Sequence, residues 1–262
     1  MNDELPSVEA IAGLLGDGSM WRLAWVQSTG STNADVAALA REGEHEGYVL
    51  VASEQTRGRG RLARTWASPP GRSVAISVLL EPGHDFLRWG WLSLLAGLAV
   101  HRALAALAPE PGAVELKWPN DVLVGGRKVC GILSERVEHP GGARAVVGLG
   151  INVSLDADDL PVPTATSLTL EGFDSTTDAV VAAVLSAFED YYRVWRAEGT
   201  LRNAYEAVCA SVGADIEVVV DAEHSARGVG VGVDELGRLQ VRVGSGVRTF
   251  AVGDVIHATL RR

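Results

Sequence analysis

Residues 114–137, VELKWPNDVLVGGRKVCGILSERV, carry the clearest strand pattern in the chain. Val114–Trp118 predicts a short strand that ends at Pro119, because proline cannot donate a hydrogen bond to a sheet. Asp121–Val124 and Arg127–Val137 are apolar runs joined by a Gly-Gly dipeptide, which is typical of a tight hairpin turn. This segment therefore predicts a sheet with antiparallel neighbours.

Further strands and helices are predicted on both sides of this segment. A Ser-Thr-Asn cluster at residues 31–33 is typical of a helix N-terminus and precedes a short amphipathic run. Hydrophobic patterning predicts strands over Tyr48–Glu54, Ser73–Leu80 and Ala145–Val153, and helices over Phe86–Leu107, Val180–Gly199 and about Leu201–Ala210. We therefore expect an α+β main domain with a mixed β-sheet and flanking helices.

The last fifty residues differ in character from the rest of the chain. Short β-branched runs separated by glycines begin at Ile216 and predict a small β-barrel or sandwich. The runs are Ile216–Val220, Gly228–Val233, Leu239–Val243, Thr249–Val252 and Val255–Leu260. We place the domain boundary near Val212.

Composition limits the class of protein. The chain has 262 residues, of which 47% are hydrophobic, so it can bury a sizeable core and is not largely disordered. Its net charge of −10 argues against a protein that binds nucleic acid with its whole surface. Two cysteines, Cys130 and Cys209, allow neither a disulfide framework nor a CxxC metal site, which predicts a reducing cytosol. The apolar stretch Trp89–Val100 is too short to span a bilayer, so we expect a soluble protein.

The segment QTRGRGRLARTW, residues 55–66, concentrates four arginines in an acidic protein. Its glycines allow close backbone approach to a phosphate while guanidinium groups neutralise it, so we expect a loop that is mobile until an anion binds. It is not a Walker A motif, because no Lys-Ser/Thr pair follows. A solvated basic turn or a nucleic-acid-binding segment is the alternative interpretation.

The chain contains only two lysines, Lys117 and Lys128, which lie within twelve residues of each other. Where an arginine-rich chain retains lysine, a compact ammonium can be required in place of a planar guanidinium. Asn120 and Asp121 follow the first of these lysines at the end of a strand, although such an Asn-Asp turn is also common in ordinary structure. The glycines of the segment GLGINV, residues 148–153, either admit a planar ligand beside the sheet or mark bulges.

Taken together, these segments are more specific than any one of them. In chain order they are Ser31-Thr-Asn33, Gln55 with the Gly58–Arg61 loop, Lys117-Trp-Pro-Asn-Asp121, Lys128-x-x-Gly-Ile-Leu133 and Gly148-x-Gly-Ile-Asn152. This ordered set resembles biotin protein ligases, that is biotin–[acetyl-CoA-carboxylase] ligases, over about residues 24–262.

The resemblance implies a fold and a domain arrangement. It implies a catalytic domain of the class II aminoacyl-tRNA synthetase-like (biotin–lipoate ligase) fold over residues 24–212, and a Src-homology-3-like β-barrel over 213–262. Residues 1–23 would be an N-terminal extension, too short for the winged-helix domain of the bifunctional members. The resemblance is therefore to the monofunctional class, without a DNA-binding domain.

The resemblance also implies roles for individual residues. The biotin-binding set would be Ser31, Thr32, Asn33, Gln55, Gly58, Arg59, Gly60, Arg61 and Lys128. The nucleotide-binding set would be Arg61, Trp66, Lys117, Asn120 and Asn152. Lys128, Arg59 and Asp121 would be catalytic, with Asp121 also a possible Mg²⁺ ligand.

The implied reaction has two steps. Biotin and ATP form biotinoyl-5′-AMP, with Mg²⁺ entering with ATP, and a lysine of the biotin carboxyl carrier domain of an acyl-CoA or acetyl-CoA carboxylase then displaces AMP. No bound prosthetic group, nucleic acid or membrane partner is expected, and the protein would be a cytoplasmic monomer or weak homodimer. A lipoate–protein ligase-like acyltransferase and a nucleic-acid-binding regulator using the arginine loop are the alternatives.

Overall fold

The computed structural model describes residues 7–66, 69–83 and 85–257. Its central element is a seven-stranded mixed sheet with strand order β1-β2-β3-β7-β6-β5-β4. The strands are β1 (Arg22–Val26), β2 (Tyr48–Ala52), β3 (Ser73–Leu80), β4 (Val114–Lys117), β5 (Asp121–Val124), β6 (Arg127–Val137) and β7 (Arg144–Asn152). Only β1 and β2 pair in parallel, so the predicted mixed sheet and the β5–β6 hairpin are confirmed.

Helices cover both faces of this sheet. They are α1 (Val8–Leu15), α2 (Thr32–Glu42), α3 (Gly90–Leu107), α4 (Thr177–Glu198) and α5 (Arg202–Glu206). Strand β3 is buried along its whole length because α3 and α4 pack near one face of the sheet and α2 covers the other. Val36, Ala37 and Ala40 of α2 form their own apolar cluster with Leu50 and Leu79.

The C-terminal part forms a second, antiparallel sheet with strand order β11-β10-β9-β8-β12. Its strands are β8 (Asp215–Val219), β9 (Ser225–Val233), β10 (Leu239–Val243), β11 (Gly246–Phe250) and β12 (Asp254–His257). The predicted run over 255–260 is described only to His257. Indole nitrogens of the main domain tie the sheet in place: Trp118 Nε1 donates to the Gly237 carbonyl at 3.1 Å and Trp91 Nε1 to the Glu235 carbonyl at 2.8 Å.

Two elements near the N-terminus have no counterpart in the sequence-based prediction. Helix α1 packs on α4 with Ile11 only 1% exposed, and β1 adds a five-residue edge strand to the sheet. Helix α1 spans only eight residues and β1 only five, and most of their side chains are exposed or half-buried. The proposed boundaries at residues 23 and 212 stay predictions, because one continuous apolar core includes residues from Ile11 to Val255.

The long apolar helix lies in the centre of the core. Phe86–Leu107, a short 3₁₀ turn followed by α3, is long and apolar enough to cross a membrane by length and composition alone. Trp91, Leu95 and Val100 of α3 are nevertheless fully buried inside the protein. This burial is what a core helix of a globular protein requires.

Candidate functional site

A cavity of about 130 Å³ opens on the main sheet, between the N-terminus of α2 and the arginine loop (residues 55–66). Eleven of the sequence-predicted site residues line it: Ser31, Thr32, Asn33, Gln55, Arg59, Gly60, Arg61, Trp66, Asn120, Asp121 and Lys128. Residues of β6 and β7, together with Asp254 of the C-terminal sheet, complete the wall. Pockets that bury drug-sized ligands run to roughly 300–1,000 Å³, so a larger ligand requires side chains to move.

The floor of the cavity is a flat slot made by glycines on β6 and β7. Gly131 and Gly150 are cross-strand partners, and the indole of Trp66 lies directly on them. A Cβ atom at Gly150 would lie 2.4 Å from Trp66 Nε1, so neither glycine tolerates a side chain with the indole in place. The glycines therefore admit a planar group beside the sheet, and in this structure that group is Trp66. Its buried Nε1 has no hydrogen-bond partner among the residues that the structure describes.

One end of the cavity is built from uncharged polar side chains. Gln55 Oε1 accepts from the Thr32 backbone N–H at 2.9 Å and lies 3.1 Å from Thr32 Oγ1. Asn33, 5% exposed, donates through Nδ2 to the Leu133 carbonyl at 3.1 Å. A Cβ atom at Gly148 would clash with Asn33 Oδ1, so only glycine at this position leaves space for the Asn33 amide.

The other end carries Lys128 and the carboxylate of Asp121, with Lys117 just outside the cavity. Asp121 begins β5 and Lys128 lies near the start of β6, and the hairpin turn brings Lys128 Nζ against Asp121 Oδ1 as an ion pair. Lys117 Nζ lies 3.9 Å from Asp121 Oδ2. Lys128 Nζ also lies 5.6 Å from the centroid of the Trp66 ring, a favourable cation–π geometry.

Three of the four arginines of the loop are paired with acidic groups from other elements. Arg59 Nη2 donates to Glu135 Oε2 at 2.8 Å, while Arg61 and Arg64 both pair with Asp254. Arg61 is the most buried of these arginines. A loop that is mobile until an anion binds was expected from its sequence, whereas these carboxylate partners were not.

Arg61 connects the loop to both sheets. Its Nη1 donates to Asn120 Oδ1 and to the Gly253 carbonyl, each at 3.2 Å, and Asn120 Nδ2 in turn donates to the Ile132 carbonyl at 2.9 Å. Burial lowers the pKa of the Arg61 guanidinium, and the nearby carboxylates of Asp254 and Asp121 oppose that shift.

Three predicted residues do not line the cavity. Gly58 closes the base of the arginine loop, where its carbonyl accepts from Trp66 N–H at 2.9 Å. Lys117 lines the adjacent groove together with Asp121 and Asp254. Asn152 is 3% exposed and donates to the Thr166 carbonyl at 2.9 Å, so its amide is used within the protein.

Sequence reasoning missed three polar residues that hold the site together: Ser77, Glu135 and Asp254. Ser77 lies within an apolar strand and Glu135 near the end of another, and neither stands out by spacing. Asp254 is distant in sequence from the loop that it contacts. For Glu135 a signal existed, because it follows the Lys128-x-x-Gly-Ile-Leu segment by two residues on the same strand.

The cysteines are chemically inert in this fold. Cys130 and Cys209 are both free and buried. Burial raises the pKa of the Cys130 thiol to about 12 and also raises that of Cys209. The nucleophilic thiolate is therefore suppressed at neutral pH, and neither residue is suited to covalent catalysis.

Comparison with known proteins identifies relatives over most of the chain. Residues 25–152 match the model of the biotin/lipoate A/B protein ligase family. The biotin–[acetyl-CoA-carboxylase] ligase of Mycobacterium tuberculosis is 38% identical over 93% of this chain and 92% of its own length. The bifunctional ligase/repressor BirA of Bacillus subtilis is 31% identical over 86% of this chain and 70% of its own length.

Solved structures agree with the sequence relatives. The biotin protein ligase from Aquifex aeolicus, in complex with biotin and ATP, superimposes with a TM-score of 0.75 and 27% identity. The match covers 90% of this chain and 98% of that chain, so it includes both sheets.

Proposed function

The chain belongs to the biotin/lipoate A/B protein ligase family, and from that membership we propose that it is an ATP-dependent biotin–[acetyl-CoA-carboxylase] ligase. It activates biotin as biotinoyl-5′-AMP and transfers the biotinoyl group to a lysine of the carboxylase carrier domain. The observation that carries this proposal is the polarity of the cavity, which has neutral acceptors at one end and cations at the other.

The neutral end suits the ureido ring of biotin. Gln55 Oε1 and Thr32 Oγ1 lie 3.1 Å apart in the cavity wall, where both can accept from a ring N–H. The dithiolane ring of lipoate has no N–H and would leave these buried acceptors unpaired, which is costly. This contact therefore favours biotin over the lipoate alternative.

The distance between the two ends suits a ring with an acyl tail. Lys128 and Leu133 are five residues apart on β6, roughly 16 Å at about 3.3 Å per residue. The glycine slot lies between them, and we propose that Trp66 moves off Gly131 and Gly150 to cover the bound tail. The indole would then form one wall of a closed site.

The charged end suits the meeting of two anions. The biotin carboxylate oxygen attacks the α-phosphorus of ATP, a P–O bond forms, and pyrophosphate leaves with the electron pair of the broken bond. Lys128 and Arg61 offset the repulsion between carboxylate and phosphates and stabilise the charge that develops. Arg59 is held by Glu135 beside Asn33 in this structure, and we propose that it turns to the phosphates when substrate binds. Lys128 and Arg61 are paired with Asp121 and Asp254, and substrate oxygens would replace these carboxylates.

Transfer follows from the same arrangement. The amine of the carrier lysine attacks the carbonyl of biotinoyl-AMP, an amide forms, and AMP leaves. Asp121 and Lys117 lie beside the cavity in a groove that Asp254 and Ile256 also line. We propose that the carrier lysine enters through this groove, where Asp121 orients its amine. No covalent enzyme intermediate is required.

The site offers few protein ligands for a metal ion. The described part of the chain holds no cluster of three or more His, Cys, Asp or Glu side chains suited to a metal ion. Mg²⁺ is usually held by one or two carboxylates together with substrate phosphates, and Asp121 offers one such carboxylate at the charged end. The site therefore fits Mg²⁺ that enters with ATP, where it would neutralise phosphate charge.

The remaining alternatives are less well supported. Arg59, Arg61 and Arg64 are all paired with carboxylates of the same chain, so the loop offers little free positive charge to nucleic acid. We therefore propose biotin, ATP and the carrier domain as its partners, without nucleic acid or membrane. A cytoplasmic location and a monomer or weak homodimer are part of the same proposal.

The proposal is tested by adenylate formation without a carrier. The protein is mixed with labelled ATP, Mg²⁺ and either biotin or lipoate, and the acyl-AMP is separated and quantified. We expect biotinoyl-AMP at close to one equivalent per enzyme, because the site retains it, and little lipoyl-AMP. Equal yields from both acids would favour the lipoate alternative, and no adenylate from either would contradict the ligase assignment.

A further inference from the structure

Ser77 is a fully buried polar residue that contacts two residues of the cavity wall. It lies on β3 opposite Gly148 of β7, directly behind the neutral end of the cavity, and its exposure is 0%. Its hydroxyl oxygen is 2.6 Å from Asn33 Oδ1 and 2.7 Å from Thr32 Oγ1. A serine hydroxyl has a single hydrogen, so it can donate to only one of these two oxygens.

The neighbours of Asn33 decide where that hydrogen goes. The Leu133 carbonyl and the Glu135 carboxylate, at 3.1 and 2.8 Å, both face one end of the Asn33 amide. A carbonyl and an ionised carboxylate only accept, and Glu135 is ion-paired to Arg59. The NH₂ group of Asn33 must therefore face these acceptors, and its Oδ1 must face Ser77.

The orientation of the Asn33 amide also determines where the hydroxyl hydrogen of Thr32 lies. Because Asn33 Oδ1 can only accept, the Ser77 hydrogen is used on Asn33, and the contact between Ser77 and Thr32 must be closed by the Thr32 hydrogen. Thr32 Oγ1 is left with lone pairs towards the cavity. The Thr32 hydroxyl also lies 3.1 Å from Gln55 Oε1, but its hydrogen is used on the closer Ser77 oxygen, so Gln55 Oε1 receives only the Thr32 backbone N–H and keeps a lone pair free.

We propose that Ser77 is a positioning residue for ligand specificity. Through its fixed hydrogen it turns the Thr32 hydroxyl away from the cavity, so that Thr32 and Gln55 present only acceptors to the ring of the ligand. The wall then selects a ring N–H, which is the group that distinguishes a cyclic urea from rings that lack it. This inference rests on the proposed function, since the ligand is taken to be biotin.

Glu135, which does not line the cavity, helps to fix the direction of these hydrogen bonds. Its Oε2 accepts from both Asn33 Nδ2 and Arg59 Nη2, each at 2.8 Å. The carboxylate therefore fixes the Asn33 amide and holds the arginine loop with the same atom. Gln55, at the start of that loop, contacts Thr32, and Arg59 in the same loop contacts Glu135. The loop therefore joins this chain of hydrogen bonds at two residues.

The test measures selectivity rather than affinity alone. Two ligands are titrated by calorimetry without ATP: biotin, and a cyclic carbamate analogue in which oxygen replaces the ring N–H. Sites built to accept a hydrogen reject an analogue without it, so we expect the wild type to prefer biotin by at least about a hundredfold. In Ser77→Ala the Thr32 hydroxyl is free to turn towards the ligand and donate to the carbamate oxygen. The preference should fall to roughly tenfold or less, with biotin itself bound three- to tenfold more weakly.

Controls separate this role from a structural one. Ser73→Ala changes another buried serine on the same strand that does not line the cavity, and it should keep the wild-type preference. If Ser77→Ala is poorly folded, Ser77→Cys keeps the side-chain size with a weaker donor and should give an intermediate preference. A general loosening of the site would weaken both ligands equally.

The outcomes distinguish the inference from the function. If the wild type binds biotin and rejects the carbamate, but Ser77→Ala and Ser77→Cys keep the same ratio of affinities, the inference is wrong and the proposed function stands. If the wild type does not bind biotin, the proposed function itself is wrong.

Discussion

Asp121 and Lys128 form an ion pair across the β5–β6 hairpin, at the charged end of the cavity. The same carboxylate lies 3.9 Å from the ammonium of Lys117, so it contacts both lysines of the chain. The charge of Lys128 is therefore compensated by Asp121 in this structure. A carboxylate or phosphate that binds Lys128 would compete with Asp121, and the energy of that exchange would be part of its binding.

The first prediction concerns the shape of the Lys128 cation. Lys128→Arg should keep the ion pair with Asp121, and therefore the fold, because a guanidinium pairs well with a carboxylate. It should slow adenylation by about a hundredfold or more, since a planar group replaces a point charge between two anions. The measurement is pyrophosphate release from biotin and ATP.

Lys117→Arg is the matched control, because Lys117 contacts Asp121 but does not line the cavity. It should slow pyrophosphate release by less than about tenfold. A Lys128→Arg enzyme within a few-fold of the wild type would show that Lys128 is not the catalytic cation.

The second prediction concerns the attachment of the arginine loop to the C-terminal sheet. Asp254 pairs with both Arg61 and Arg64, so Asp254→Asn should release the loop by removing the shared charge. Limited trypsin digestion should then cut after these arginines several-fold faster than in the wild type. Biotin with ATP should restore protection, because substrate anions replace the lost carboxylate.

Asp221→Asn serves as the control for that digestion, since Asp221 is an exposed aspartate of the same sheet that pairs with His224. Its cleavage rate should equal that of the wild type. Unchanged cleavage in Asp254→Asn would mean that the loop is held by other contacts.

The third prediction concerns retention of the reactive adenylate. Arg61→Gly removes the hydrogen bonds to Asn120 and to the Gly253 carbonyl as well as one charge near the phosphates. Loss of a charge-assisted contact costs about 1.5–3 kcal/mol, which speeds escape of biotinoyl-AMP by roughly ten- to a hundredfold. The variant should label bystander proteins with biotin, whereas the wild type labels only its carrier.

Bystander labelling is measured by streptavidin blot of a mixture of unrelated proteins with biotin and ATP. Arg248→Gly, which changes an exposed arginine of the C-terminal sheet, should leave bystanders unlabelled. An Arg61→Gly enzyme that consumes ATP and biotin yet neither releases adenylate nor labels bystanders would falsify the role of Arg61 in retaining the adenylate.

The fourth prediction is a loss of stability below neutral pH. Burial lowers the pKa of His257, and Lys117 lowers it further, while burial also lowers that of His101. Below the ordinary histidine pKa of about 6.5 the unfolded chain binds protons that the folded protein refuses. The free energy of unfolding should therefore be constant above this value and fall as the pH decreases below it.

Urea unfolding at several pH values measures this effect. His257→Asn should reduce the loss of unfolding free energy at acidic pH, because it removes one of the two histidines whose pKa is lowered in the folded protein. His45→Gln, at an exposed histidine, is the control and should follow the wild-type curve. A wild-type curve that rises as the pH decreases below 6.5 would contradict the burial of these imidazoles.

The sequence predicted most of the sheet because its strands are strongly patterned. The hairpin of β5 and β6 was predicted to the residue, since Gly125-Gly126 marks its turn and both strands are apolar. Strand β11 was predicted at 249–252 but lies at Gly246–Phe250, because its exposed residues give no clear alternation. The short helix after α4 spans only Arg202–Glu206, less than the predicted 201–210.

The site was predicted from motifs, and what was missed depends on tertiary contacts. Residues such as Thr32, Gln55 and Lys128 belong to recognisable segments, and the structure brings them to one cavity. The partners of the loop arginines could not be found this way, because Asp254 is 193 residues from Arg61 in sequence (254 − 61) and is brought near only by packing of the second sheet.

The central claim is tested most directly by the mass of a carrier domain. An apo carrier domain of acetyl-CoA carboxylase is incubated with the protein, biotin, ATP and Mg²⁺, and its intact mass is recorded, with a carrier whose acceptor lysine is replaced by arginine as the control. We expect one biotinoyl group on the carrier, dependent on ATP, and none on the control. A carrier that stays unmodified while the protein binds biotin and ATP would contradict the assignment.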